Sequence, residues 1–315
     1  MRRVMIGMVV IAAGACRTAD APPAAEPTSA KPGAALADWT PPPESAIPDD
    51  SMGVSVRRGL ALLRHTPDSL PRYATSNLRC VSCHLDDGRR VSAAPLAGAH
   101  ARYPKYMART GAVVNLTDRV NYCFTRSLAG NALPDQSREM QDILAYIAWL
   151  STGVPVGTKV AGAEGLLKLP SDAVGDSARG HALFETTCAQ CHGSDGAGKL
   201  PPAPALWGAK SYSIGASMAR EERAASFIQH NMPLTAPGSL TVQQAYDLSA
   251  YINAHPRPDS PGKRADYPAG DAAADTPYDT KGHTAYRAPA RLLPRANPRG
   301  ATVNAPARAA DGGVR

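Results

Sequence analysis

Cys80-Val-Ser-Cys-His84 and Cys188-Ala-Gln-Cys-His192 decide how this chain of 315 residues is read. In each stretch two thiols are followed directly by a histidine. The two thiols can add to the two vinyl groups of one haem, and the adjacent imidazole then meets the iron. A lone Cys-x-x-Cys also serves as a redox dithiol or as half of a zinc site. The following histidine, the presence of two copies and an export-type N-terminus select haem attachment. The expectation is two covalently bound c-type haems, one on Cys80 and Cys83, the other on Cys188 and Cys191. His84 and His192 are the proximal iron ligands.

Outward from these motifs the chain repeats itself. Arg58-Gly59-Leu60-Ala61-Leu62-Leu63 matches Arg179-Gly180-His181-Ala182-Leu183-Phe184, and Ala145-Tyr146-Ile147 matches Ala250-Tyr251-Ile252. Each half runs helix, haem motif, loops, helix. Offsets of 121, 108 and 105 residues between the matched pieces place about 13 extra residues ahead of the first haem motif. Met140, Ile143, Leu144 and Ile147 follow helical spacing behind Ser137 and Glu139. Thr241 with Gln244 forms a capping box ahead of Val242, Ala245, Leu248 and Ile252, and Pro256 ends that helix. No alternating apolar run predicts a sheet. The expected fold is all-α, with two tandem class I cytochrome c-like domains over residues 39–157 and 173–256, joined by a linker over 158–172.

The ends read differently. Arg2 and Arg3 precede an apolar stretch, Val4 to Ala13, that is too short to span a bilayer. Ala13-Gly14-Ala15-Cys16 fits a lipoprotein site with lipid on Cys16, and it also fits an A-x-A cleavage site. Residues 1–16 are therefore expected to be a signal peptide. The mature chain is placed outside the cytoplasm, in the periplasm or exported, with a possible membrane anchor at Cys16. Residues 17–38 read as a flexible linker. Residues 257–315 hold eight prolines and little periodic hydrophobicity, and the composition predicts a disordered tail. The formal charge is +7. In an exported haem protein that charge does not point to nucleic acid.

The sixth iron ligands decide what each haem does. For the second haem the candidates are Met218 and Met232. Met232, in Asn231-Met232-Pro233 ahead of the closing helix, is preferred, whereas Met218 precedes a charged run and is expected on a helix surface. A thioether ligand raises the potential and suits an electron outlet. His230 is expected to face solvent. For the first haem the candidates are Met107, Cys123, Met140 and His100, with Met140 expected in the core. Cys123 is the cysteine that the two haem motifs and Cys16 leave over, and the residues alone leave it as either a haem ligand or a buried thiol. Around it lie Arg102, Lys105, Arg109, Arg119 and Arg126 against one acid, Asp118. Such a run is usually a solvated face. Here it would also favour a thiolate and attract an oxyanion.

The stretch from Cys80 to Leu150 resembles the thiosulfate dehydrogenases, di-haem enzymes related to the SoxA cytochromes. The residues that carry the resemblance are Cys80 to His84, Pro104-Lys-Tyr-Met-Ala-Arg109, and above all Asp118-Arg119-Val120-Asn121-Tyr122-Cys123-Phe124-Thr125-Arg126-Ser127-Leu128-Ala129-Gly130. Leu133-Pro134, Glu139-Met140, Cys188 to His192 and Asn231-Met232-Pro233 continue it, so that it spans roughly residues 40–256. The resemblance implies His84/Cys123 ligation at the first haem and His192/Met232 at the second. It implies that Arg109, Arg119 and Ser127 line a substrate pocket with Cys123. It further implies interconversion of thiosulfate and tetrathionate, with electrons passing from the first haem through the second to a soluble or membrane-bound cytochrome or similar acceptor. Some relatives carry a Lys beside the methionine; Asn231 stands there in this chain. Two other functions fit less of the chain. A SoxA-like sulfur-oxidation subunit does not call for Met232. A di-haem carrier without its own substrate calls for neither Cys123 nor the arginines.

Overall fold

The computed structural model describes residues 35–36, 38–163, 165–169, 173–199 and 203–286. The expected signal peptide, Cys16, most of the 17–38 linker, part of the 158–172 linker and residues 287–315 lie outside that set. Six helices of seven residues or more carry the described fold. They are α1 (Ser51–Arg64), α2 (Leu116–Tyr122), α3 (Arg138–Trp149), α4 (Ser177–Thr187), α5 (Glu221–Asn231) and α6 (Val242–Asn253). Their starts are chemically marked. Asp50, Asn115, Ser137, Asp176 and Thr241 each accept an otherwise unpaired amide of the first turn, and the Thr241–Gln244 box forms as read.

In both halves the opening helix crosses the closing one, α1 on α3 and α4 on α6. The repeated Arg-Gly explains itself at that crossing. A Cβ on Gly59 would lie 2.1 Å from the carbonyl oxygen of Asp142, and one on Gly180 would lie 2.0 Å from that of Asp247. Next to each glycine the arginine grips the same aspartate in a two-bond fork. Arg58 reaches Asp142 at 2.6 and 2.7 Å, and Arg179 reaches Asp247 at 2.8 and 2.7 Å. Asp142 and Asp247 lie in helices whose other inward residues are mostly apolar, so the hydrophobic pattern does not single them out. Gly180→Ala is expected to force the two helices apart and to lower stability by about 1–3 kcal/mol. A thermal melt of the haem-loaded protein matching wild type would show that the crossing has room to spare.

The first core joins Leu60, Leu63, Phe124, Met140 and Tyr146. It also takes in Tyr212, Ala216 and Ala219 from the second half of the chain, with Met218 packed against it. Met218 is therefore not on a helix surface as expected. It sits in a short turn, Ser217–Ala219, and belongs to the core beneath the first haem motif. The second core gathers Phe184, Ile228, Leu248 and Tyr251, with Trp207 stacked on His255. Two small sheets accompany the helices. Lys105–Met107 pairs antiparallel with Ala112–Val114, and Ala35–Leu36 pairs parallel with Lys159–Val160. Strands of two or three residues are too short to show alternation, so no local pattern marks them.

The larger departure is at the C-terminal side. Residues 257–286, read from composition as part of a disordered tail, are built onto the body. Asp266, Tyr267, Thr276 and Tyr278 are buried. Asp266 and Tyr267 meet arginines far away in sequence, Arg126 and Arg109, and Tyr278 bonds Asp266, contacts that hydrophobic periodicity cannot reveal.

Candidate haem sites and reactive cysteine

Each Cys-x-x-Cys-His closes one helical turn. The amide of His84 donates to the Cys80 carbonyl, and that of His192 to the Cys188 carbonyl, both at 3.0 Å. Buried Thr66 fixes the first turn, accepting the Cys80 amide at 3.0 Å and lying 3.3 Å from its Sγ. The two imidazoles are oriented alike. Nδ1 of His84 meets the Ala94 carbonyl at 2.5 Å, and Nδ1 of His192 meets the Pro204 carbonyl at 3.0 Å. A carbonyl only accepts, so Nδ1 carries a proton in each ring and Nε2 is the nitrogen left facing a metal. Burial lowers His192, outweighing the opposing Pro204 bond, and so favours the neutral ring.

These residues fit covalent haem and not the other uses of the motif. None of the five described cysteines forms a disulfide. No cluster of three or more His, Cys, Asp or Glu converges among the described residues, as a zinc site would require. Burial, the leading cause, pushes Cys80 to about 11, Cys83 to about 12 and Cys188 to about 11. Sites that favour neutral sulfur suit thioethers.

Cys123 is the exception. α2 ends at Tyr122 and runs on as a π-helical turn, Cys123–Ser127. Such wider turns often mark functional positions. Arg119 and Cys123 are four residues apart, one turn on the same face. Arg119 Nη1 donates to Cys123 Sγ at 3.0 Å. Burial would raise this thiol. The charge of Arg119 and the hydrogen bond and charge of His84 outweigh it, and Cys123 falls to about 6. The Cys123 charge in turn raises Arg119, against its own burial, and Tyr103 adds a bond to the same guanidinium. His84, Cys123 and Arg119 thus form one connected group beside Cys80 and Cys83.

The remaining predicted residues are placed as follows. Ser127 ends the turn that Cys123 begins. Arg109 turns toward the second half of the chain, with Nη1 donating to the Gly215 carbonyl at 2.8 Å and Nε to the Tyr267 hydroxyl at 3.2 Å. His100 is exposed, Met140 is buried in the core, and Met107 lies in a surface hairpin. Met232 follows the last residue of α5 and packs against the second core, as do Cys188, Leu206 and Trp207. His230 is half-buried, with Nδ1 on the Ser226 carbonyl at 2.8 Å, and so does not simply face solvent.

Sequence reading passed over Asn231 except as the residue that is not lysine. It is fully buried. Its Nδ2 donates to the Ser92 and Phe227 carbonyls, both at 3.0 Å, and its Oδ1 accepts from Ser92 Oγ at 2.8 Å. Ser92 lies two residues before Ala94, whose carbonyl orients His84. One amide therefore ties the Met232 loop to the segment that aims the first proximal histidine. Asn231→Ala leaves half-buried Ser92 groups without their amide partner and is expected to cost about 1–3 kcal/mol. Chemical denaturation with an unchanged midpoint would count against the bridge.

Both halves of the chain match known cytochrome domains. Residues 72–156 match the SoxA/TsdA cytochrome c domain, and residues 177–256 match the cytochrome c domain. A thiosulfate dehydrogenase of Allochromatium vinosum is 41% identical over 228 residues, which is 70% of this chain and 84% of the relative. One of Psychrobacter arcticus is 41% identical over 239 residues, 74% of this chain and 73% of the relative. Among solved structures, the thiosulfate dehydrogenase TsdBA of Marichromatium purpuratum superposes with a TM-score of 0.65 at 36% identity. That match covers 71% of this chain and 50% of the longer neighbour, so this chain spans about half of that protein.

Proposed function

The chain belongs to the thiosulfate dehydrogenase family, and from that membership we propose that it is a di-haem c-type cytochrome that interconverts thiosulfate and tetrathionate, with Cys123 as its reacting thiol. The observation that carries the assignment of Cys123 is its 3.0 Å contact with Arg119 beside His84. His84 with Cys123, and His192 with Met232, would hold the two irons. Haems bound there supply one-electron acceptors in series, the thiolate-ligated one at the lower potential.

The residues account for the rest. Two thiosulfates carry four negative charges and repel one another. Arg119 and Arg109 offset that repulsion with fixed positive charge in a partly dry setting. In the oxidative direction, the Cys123 thiolate and the outer sulfur of one thiosulfate form an S–S bond and give up two electrons. The second thiosulfate attacks the outer sulfur of that adduct, releasing tetrathionate and restoring the thiolate. In reverse, the Cys123 thiolate cleaves the central S–S bond of tetrathionate and expels one thiosulfate. Two electrons then release the other.

We place the protein outside the cytoplasm, delivering electrons to a cytochrome-type acceptor. No helix among the described residues is long and apolar enough to cross a membrane. The test of function is direct: the haem-loaded protein should reduce ferricyanide when given thiosulfate, or oxidise a reduced dye when given tetrathionate. Inactivity in both assays, with both haems intact, would refute the assignment.

A further inference from the structure

The segment 257–286 packs against two arginines of the run around Cys123, Arg109 and Arg126. Its adjacent residues Asp266 and Tyr267 each take one arginine from the Cys123 region, and they treat the two charges differently. Asp266 accepts from Arg126 Nη1 at 2.7 Å and Nη2 at 2.6 Å, and Tyr278 Oη also donates to it at 2.7 Å. A buried carboxylate so placed cancels the charge of Arg126. Tyr267 holds Arg109 without cancelling it. Its amide donates to the Arg109 carbonyl at 2.8 Å, its hydroxyl accepts from Nε at 3.2 Å, and its ring lies 5.6 Å below the guanidinium carbon. A phenol is neutral at ordinary pH. Nη1 is taken by the Gly215 carbonyl at 2.8 Å, and Nη2 has no hydrogen-bond partner among the described residues. Arg109 is therefore clamped on one edge and keeps a free donor, and the Asp266 carboxylate, which pairs with Arg126, acts on it only through space.

The clamp is closely fitted. A Cβ on Gly111 would lie 2.4 Å from Pro268 Cγ, and one on Gly215 would lie 2.3 Å from Ser260 Oγ. The amide of Ile214 donates to the Pro258 carbonyl at 2.9 Å, and that of Ser213 to the Arg126 carbonyl at 3.1 Å. At its far end the segment is anchored to the start of α5. Arg220 donates to Asp275 at 2.6 Å, and Tyr286 donates to Glu221 at 3.0 Å.

We propose that residues 257–286 are a built part of the anion site, in which Tyr267 is the positioning residue for Arg109 and Asp266 withdraws Arg126 from the set of anion-binding cations. The inference rests on reading Arg109 as a thiosulfate-binding residue. It makes the oxyanion site dependent on a segment outside both haem domains.

A double-mutant cycle tests it, using thiosulfate binding to the haem-loaded protein measured by calorimetry, with turnover measured separately. Tyr267→Ala should weaken binding about three- to tenfold, the range for losing one hydrogen bond to a held group. The rise should appear in KM far more than in kcat. In an Arg109→Gln background the same change should add less than twofold, because Tyr267 then has no guanidinium to hold. An equal loss from Tyr267→Ala in both backgrounds, or no loss in either, overturns the inference. Wild-type protein that binds thiosulfate yet neither oxidises it nor reduces tetrathionate refutes the proposed function, and the cycle still decides the role of Tyr267. Wild-type protein that does not bind thiosulfate overturns the inference directly.

Discussion

Cys123→Ser is expected to reduce turnover in both directions by on the order of 10³-fold or more, while both haems stay covalently attached. The reasoning separates two roles of one sulfur. Attachment of the haems uses Cys80, Cys83, Cys188 and Cys191, none of which the substitution touches. The reaction needs a nucleophile that can form and break an S–S bond, and a serine hydroxyl cannot do this. The surroundings also argue for a thiolate at this position alone. Cys80, Cys83 and Cys188 lie where burial raises the thiol, whereas Arg119 and His84 hold Cys123 down at about 6. A di-haem carrier makes the opposite prediction, since its electron exchange with small dyes would survive the change. The measurement is steady-state thiosulfate oxidation and tetrathionate reduction, with haem content checked by the pyridine-adduct spectrum. Turnover within tenfold of wild type would mean that the chemistry does not pass through Cys123. A changed first-haem spectrum with the second haem unaltered would place the lost sulfur at the first iron.

What could be read from the sequence follows the range of the interactions involved. The haem motifs are local, and each closes its own turn, so Cys80 to His84 and Cys188 to His192 were legible outright. The Arg-Gly repeat was visible, though its meaning required Asp142 and Asp247, which only the helix crossing brings into view. Arg119 and Cys123 share a helix face by spacing alone. The features that were missed connect distant parts of the chain. Asn231 reaches Ser92 across 139 positions, and Arg126 reaches Asp266 across 140. Tyr212 and Ala216 sit in a Ser- and Gly-rich loop of the second half yet complete the first core. The segment at 257–286 has the proline content and weak periodicity of an unstructured tail. What fixes it in place is a set of charge pairs and tyrosines whose partners cannot be found by any local pattern. Polar anchoring of this kind leaves no hydrophobic signature, so composition pointed the wrong way.

Arg119→Gln should have the second largest effect, lowering kcat/KM for thiosulfate by about 10²–10³-fold, the range for removing one preorganised donor that faces developing charge. Arg119 is tied to the reactive sulfur more closely than any other cation in the described structure. It donates to Cys123 at 3.0 Å, and Tyr103 steadies the same guanidinium. The other two arginines are held elsewhere, Arg126 by Asp266 and Arg109 by Gly215 and Tyr267. Glutamine keeps a donor of similar reach but removes the charge that both the thiolate and the incoming dianion require. The loss should therefore fall on kcat as well as KM, in contrast to Tyr267→Ala, which acts on anion binding alone. Arg119→Lys restores the charge without the planar fork and should recover only part of the lost rate. Full recovery with lysine would mean that charge alone is needed. An Arg119→Gln enzyme with an unchanged kcat and a raised KM would make Arg119 an anion-binding residue like Arg109, and the activation of Cys123 would then have to be assigned to His84.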